Sequence, residues 1–152
     1  MTIRAATGAD ITVMVELLRL LFSIEKDFIY APERQRRGLE LLLAADQAHI
    51  LVAEILGEVV GMATGQLLIS TAEGAPSLVV EDVVVAPASR NMGIASALLA
   101  RLAEWGQERG ANRMQLLADR TNSSALIFYR VQGWLTTRLI CLRKYSTREE
   151  TQ

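Results

Sequence analysis

Val83-Val84-Val85-Ala86-Pro87-Ala88-Ser89-Arg90-Asn91-Met92-Gly93-Ile94-Ala95-Ser96 carries the topology of this chain. Three consecutive valines read as a buried strand, and Pro87 ends it. A short loop follows, and from about Met92 to Arg109 the apolar residues recur at helical spacing, with Gly110 as the stop. Arg113 to Ala118 then reads as another strand. A strand, a crossover helix and a strand imply a parallel pair joined by a right-handed connection.

Working outward, the segments before this unit predict hairpins. His49 to Glu54 and Val59 to Ser70 are strands around the turn Leu56-Gly57-Glu58, and the loose stretch Thr71 to Ser77 leads into Leu78 to Val85. Ile3 to Ala6 is a short edge strand. Thr7-Gly8-Ala9-Asp10 resembles a capping box, with aspartate in place of the usual glutamate. The helix after it sets Ile11, Met14, Val15, Leu18 and Leu21 or Phe22 on one face, and Pro32 opens a second helix. Beyond the central unit, Asn122 or Ser123 caps a short helix to about Val131, Gly133 ends it, and Arg138 to Tyr145 reads as a final strand. The order β-α-α-β-β-β-α-β-α-β predicts an α/β fold with a mixed antiparallel and parallel central sheet and helices on both faces. One domain over residues 1–152 is expected, with a frayed tail from Ser146 to Gln152.

Composition narrows the function classes. Sixteen Lys and Arg against seventeen Asp and Glu leave a net charge of −1, which argues against a nucleic-acid coat. A single cysteine, Cys141, and a single histidine, His49, make neither a disulfide nor a closed zinc site, so no metal is expected. No apolar run approaches the ~18 residues of a membrane span, and the first residues lack the apolar core of a signal peptide. The expectation is a reduced, cytoplasmic protein with no membrane partner.

The loop itself suits an anion. Free amides at a helix N-terminus point toward the turn, Asn91 tolerates a left-handed backbone, Gly93 and Ala95 let a bulky group approach, and Arg90 adds a charged donor. A Walker loop is excluded by the absence of lysine, and a dinucleotide fingerprint by the presence of Gly93 alone. The alternative is a tight strand–helix turn with a surface arginine.

Arg90-x-x-Gly93-x-Ala95 resembles the Arg/Gln-x-x-Gly-x-Gly/Ala motif of the GNAT N-acetyltransferase superfamily. Asn122, Phe128-Tyr129 and Gly133-Trp134 follow in the family's order, and the likeness extends to the Ile3-Arg4 opening strand. The resemblance implies acetyl-coenzyme A bound between splayed parallel strands. The main chain of Val83, Val84 and Val85 would hold the acetyl group and pantetheine arm. The amides of Asn91, Met92, Gly93, Ile94, Ala95 and Ser96 would hold the pyrophosphate, Asn122 would bond the pantetheine, and Tyr129 would lie near the sulfur. Asn91 and Met92 depart from the family's commoner glycine and basic or polar residues. The resemblance also implies direct transfer in a ternary complex to a small-molecule or protein amine, and by analogy a homodimer. A non-catalytic acyl-coenzyme A sensor is the rival from another class.

Acetyl transfer needs a base for the amine and a proton for the departing thiolate. Tyr129 suits the second role, or else packs its helix. Glu81 and Asp82 interrupt an otherwise apolar strand. By alternation they face opposite sides, with Glu81 on the face of Val83, so Glu81 reads as base, amine ligand or salt-bridge partner, and Asp82 as structural. The diamine acetyltransferase branch would pair Glu25 with Glu81 around a cationic amine. Otherwise Glu25 is a solvated loop residue. Cys141, in an apolar strand, reads as a small buried hydrophobe, and His49 as structural.

Overall fold

Leu56 and Gly57 both adopt left-handed backbone, at φ 50° and 81°, and so turn Ala48–Ile55 back on Glu58–Ser70. These two segments, β2 and β3, form the hairpin expected from the sequence. The computed structural model describes residues 1–147. The chain divides into two compact units, Met1–Leu116 and Leu117–Gln152. The expected frayed tail lies, from 148 onward, outside the described residues.

The first unit holds one five-stranded sheet. β1 (Thr2–Ala5), β2, β3 and β4 (Ala75–Val85) are antiparallel neighbours, and β5 (Arg113–Leu116) lies parallel to β4. The β4–β5 crossover is the helix α3, Ile94–Glu108. The expected loop at 71–77 is shorter than the sequence suggested. β3 continues to Ser70 and β4 begins at Ala75, with Gly74 left-handed between them.

Each face of the sheet is covered according to its alternation. Ile50, Val52, Met62 and Val84 pack under α1 (Ile11–Ile24) and α2 (Pro32–Ala44), in a cluster with Met14, Val15, Leu18 and Leu39. Fully burying side chains of this size stabilises by about 1.5–3 kcal/mol each. On the other face α3 packs where the chain carries glycine. A Cβ added to Gly65 of β3 would lie 2.9 Å from Leu78 and 3.3 Å from Leu102, and one added to Gly106 of α3 would lie 3.1 Å from Leu78.

The start of α1 is pinned by charge. The Thr7 amide donates to Asp10 Oδ2 at 2.8 Å, as the capping-box pattern predicts. Arg4 of β1 donates to both oxygens of Asp10, at 2.8 and 3.0 Å, and to Glu54 of β2 at 3.1 Å. Asp10 is only 6% exposed. The guanidinium beside it, chiefly through the hydrogen bonds, holds its carboxyl below the usual range.

The second unit contains α4, Ser123–Val131, and an irregular segment after it. The expected final strand, Arg138 to Tyr145, is not formed. A strand exists only through a ladder partner, and the described residues of this unit contain no other strand. Leu139, Ile140 and Leu142 are exposed, and so is Cys141, against the expectation of a buried thiol.

Candidate active site

Beyond Val85 the chain leaves the sheet in one tight 3-10 turn, Pro87–Ser89. Arg90 is extended, Asn91 and Gly93 are left-handed at φ 62° and 76°, and Gly93 becomes the residue that starts α3. The first helical hydrogen bond runs from Ala97 N to Gly93 O at 3.1 Å. Helix geometry therefore leaves the amides of Ile94, Ala95 and Ser96 without an intrahelical acceptor. No side chain caps them, and a Cβ at Gly93 would meet nothing within 4 Å. The approach to these donors is open, which suits a phosphate. Arg90 Nε donates back to Val85 O at 3.3 Å, bracing the loop, and the residue is exposed. Met92 is exposed, whereas the Ile94 side chain is buried against the sheet, so among the loop residues Ile94 offers only its main chain.

Just upstream, β4 carries a bulge that alternation does not reveal. Met62 pairs with Val84 and Thr64 with Glu81, so two steps along β3 match three along β4. Asp82 takes up the extra length with φ at 53°. Its Oδ2 accepts a hydrogen bond from Thr64 Oγ1 at 3.2 Å, although Thr64 is the ladder partner of Glu81. Ladder partners project to one face. The bulge thus brings both carboxylates to the Thr64 side, and the expected opposition of Glu81 and Asp82 does not hold.

The two carboxylates differ in setting. Glu81 is exposed. Asp82 is largely walled in, and burial, reinforced by the Glu81 charge and opposed by the Thr64 hydrogen bond, pushes its pKa up to about 6. Among the described residues no buried side-chain oxygen lacks a hydrogen-bond partner. Asp82 Oδ1 has no such partner, so it must reach the surface. Asp82, which the sequence reading took as structural, therefore joins Glu81 as a carboxylate to be weighed at this site. The visible signal was a carboxylate in a valine run. The missing one was the register of β3.

Glu25, partly buried, closes the C-terminus of α1, its amide bonded to Leu21 O at 2.9 Å. In the second unit, Asn122 caps α4, its Oδ1 accepting from the Ala125 amide at 3.2 Å. The Nδ2 donor of that side chain is not used in the cap. Tyr129 lies seven residues on, two helical turns along the same face. Its ring meets Phe128 and Trp134 edge-on at 5.3 and 5.8 Å. The residues named from the sequence thus fall into two groups. Glu25, Glu81, Val83 to Val85 and residues 90–96 belong to the first unit, and Asn122 and Tyr129 to the second.

His49 stacks flat on Trp105 at 4.9 Å, and the Arg109 guanidinium sits 4.5 Å from the same indole. Burial, then the Arg109 and Arg101 charges, push its pKa down. Among the described residues no three His, Cys, Asp or Glu side chains converge as a metal site would require. Among the described residues no helix is long and apolar enough to cross a membrane.

Residues 14–134 match the acetyltransferase (GNAT) family model, a span that reaches into both units. An uncharacterised N-acetyltransferase of Archaeoglobus fulgidus is 30% identical over 134 residues, covering 87% of this chain and 91% of its own. A transcriptional regulator from Bacillus halodurans C-125 superimposes with a TM-score of 0.84 at 28% identity, covering 95% of this chain and 99% of that one. An aminoglycoside N-acetyltransferase solved in complex with coenzyme A has the same fold, with a TM-score of 0.82 at 19% identity over 96% of this chain and 95% of that one. The strand–loop–helix of residues 83–96, the five-stranded mixed sheet and these likenesses place the chain in the GNAT family of N-acetyltransferases.

Proposed function

We propose that the protein moves an acetyl group from acetyl-coenzyme A directly to a primary amine, within a ternary complex and without an acyl-enzyme. The observation that carries this reading is the pairing, on one continuous strand–loop–helix, of an uncapped helix N-terminus with a carboxylate whose pKa is raised to about 6. A module that only binds an acyl-coenzyme A needs the first feature and not the second.

Acetyl-coenzyme A would supply the activated acetyl thioester. The amides of residues 91–96, with Arg90, would hold its pyrophosphate, the main chain of Val83 to Val85 its pantetheine arm, and Asn122 Nδ2 would donate to the same arm. An alkylammonium with a pKa of about 10 has no lone pair and must lose a proton before it attacks. Asp82 Oδ1 takes that proton, because a carboxylate near pH 6 is ionised at neutrality yet basic enough to accept. Glu81 and Glu25 supply negative charge that favours a cationic acceptor, in the manner of a diamine. Glu81 keeps its place as amine ligand or water carrier, and the role of base passes to its neighbour. Tyr129 Oη gives its proton to the departing thiolate. In this reading residues 1–152 act as one cytoplasmic N-acetyltransferase domain.

The test is release of thiol from acetyl-coenzyme A across a panel of small mono-, di- and polyamines and lysine peptides. Turnover on at least one amine is expected, with kcat lowered at least ~10²-fold in Tyr129→Phe while coenzyme A affinity holds. If the wild-type protein binds acetyl-coenzyme A and acetylates no amine or peptide, the sensor reading replaces this one.

A further inference from the structure

Resting on Asp82 as the base, we propose that Thr64 is its positioning residue: the hydroxyl fixes Oδ2 and leaves Oδ1 as the oxygen that takes the proton. Thr64 lies on β3, is 2% exposed, and sits among apolar neighbours in the sheet, opposite Ile50 of β2. A buried hydroxyl requires a partner, and its partner is the Asp82 carboxylate at 3.2 Å. That contact exists only because the bulge drops one residue of β4 out of register. In an unbroken ladder, Thr64 would share its face with Glu81 alone.

The bond does two things. Asp82 is held in a left-handed conformation uncommon for a residue other than glycine, and a hydroxyl on one oxygen removes one rotational choice from the carboxylate. The bond also favours the charged form, opposing the burial that raises the carboxyl. Thr64 thus keeps the base ionised at neutral pH without satisfying the oxygen that must accept the proton. An arginine or lysine here would stabilise the charge further and remove its basicity.

Few other charges act on this carboxylate. Glu81, next in the strand, raises it. β4 packs against β3, β5, α1 and α3. β3 carries only Glu58, paired with Ile55 at its opposite end. Arg113 of β5 is bonded to Glu73, Glu16 and Arg19 of α1 pair with each other, and the Arg101–Glu104 and Arg109–Glu108 pairs occupy the exposed side of α3.

The experiment is the pH dependence of kcat/KM for Thr64→Val, Thr64→Ser and Asp82→Asn with the best amine of the panel. Removing a hydrogen bond that favours the carboxylate moves its titration up, so the acid limb of Thr64→Val should rise by about one pH unit. Activity at pH 6 then falls several-fold while activity at pH 8.5 stays within about twofold, and Thr64→Ser restores the wild-type limb. A uniform loss at every pH, or an unmoved limb, overturns the role of Thr64. Asp82→Asn reports separately on the base: if it keeps both full activity and the acid limb, the base assignment fails whatever Thr64 does. Should Thr64→Val fold poorly, carbon-13 titration of the Asp82 carboxyl in Thr64→Ala answers the same question. A midpoint unchanged from wild type overturns the proposal there too.

Discussion

Asp10 and Asp82 are two aspartates of one sheet-based unit, the first buried and the second partly buried, and they are treated in opposite ways. Asp10 meets a guanidinium through two short bonds, together with a backbone amide, and its carboxyl is held below the usual range. Asp82 meets one hydroxyl, and its pKa is pushed up to about 6. The contrast teaches that burial alone does not assign a role. A carboxylate given a full charge partner is locked into the fold. One given a single neutral donor keeps a free oxygen and a proton affinity matched to neutral chemistry.

The strongest way to sharpen this contrast is Asp82→Asn. Loss of a general base costs typically ~10²–10⁴-fold in rate, so kcat should fall by at least ~10²-fold, as thiol release will show. The same change should stabilise the fold. Because the native carboxyl titrates above its unfolded value, wild type is not penalised below about pH 4 and loses stability as pH rises from there through about 6. The amide has no such loss. Thermal melts should therefore show Asp82→Asn above wild type at pH 8, by up to about 3 kcal/mol, and level with it at pH 3.5.

Asp10→Ala tests the other half. It leaves Arg4 facing Glu54 alone and removes the acceptor of the Thr7 amide. Arg4 is partly exposed, so the loss is nearer about 2 kcal/mol than the larger cost of a fully buried pair. Because the Asp10 carboxyl is depressed, its contribution is present above about pH 4 and disappears as the solution is acidified through the lower native value. Denaturant melts at pH 7 and pH 2.5 should show the gap between Asp10→Ala and wild type closing. A gap that persists at low pH would mean that the pair acts through packing and not through charge.

The smallest effect is expected at Gly93. Its φ of 76° strains any L-residue with a Cβ, while the space around it is open. Gly93→Ala should cost about 1–2 kcal/mol of stability through torsion alone. Coenzyme A affinity measured by calorimetry separates that local strain from a blocked phosphate approach.

Most of the fold was legible because it rests on local pattern. The helical spacing from Ile11 to Phe22, the Leu56-Gly57 turn and the Asn122 cap are all written within a few residues of where they act. The two largest departures share a cause. Arg138 to Tyr145 has the composition of a strand, but a strand is made by its partner, and composition does not supply one. The bulge at Asp82 is likewise a property of two strands counted against each other. Glu81 and Asp82 stood out in the sequence as carboxylates among valines, whereas the bond that distinguishes Asp82 comes from Thr64, eighteen residues away. The helix starting at Ile94 instead of Met92 is a smaller instance, set by the left-handed Gly93.

The seat of α3 has a consequence for how this sequence can drift. Leu78 lies between Gly65 of the strand beside it and Gly106 of the helix above it, and a Cβ at either glycine would press on one of its terminal methyls, at 2.9 and 3.1 Å. The three positions therefore share one volume. A methyl gained at 65 or 106 must be met by a shift or a trimming of the Leu78 methyls, so substitutions at the three positions are expected to be matched. Across related sequences the three columns should be statistically tied, a signature that an alignment would expose without any measurement on the protein itself.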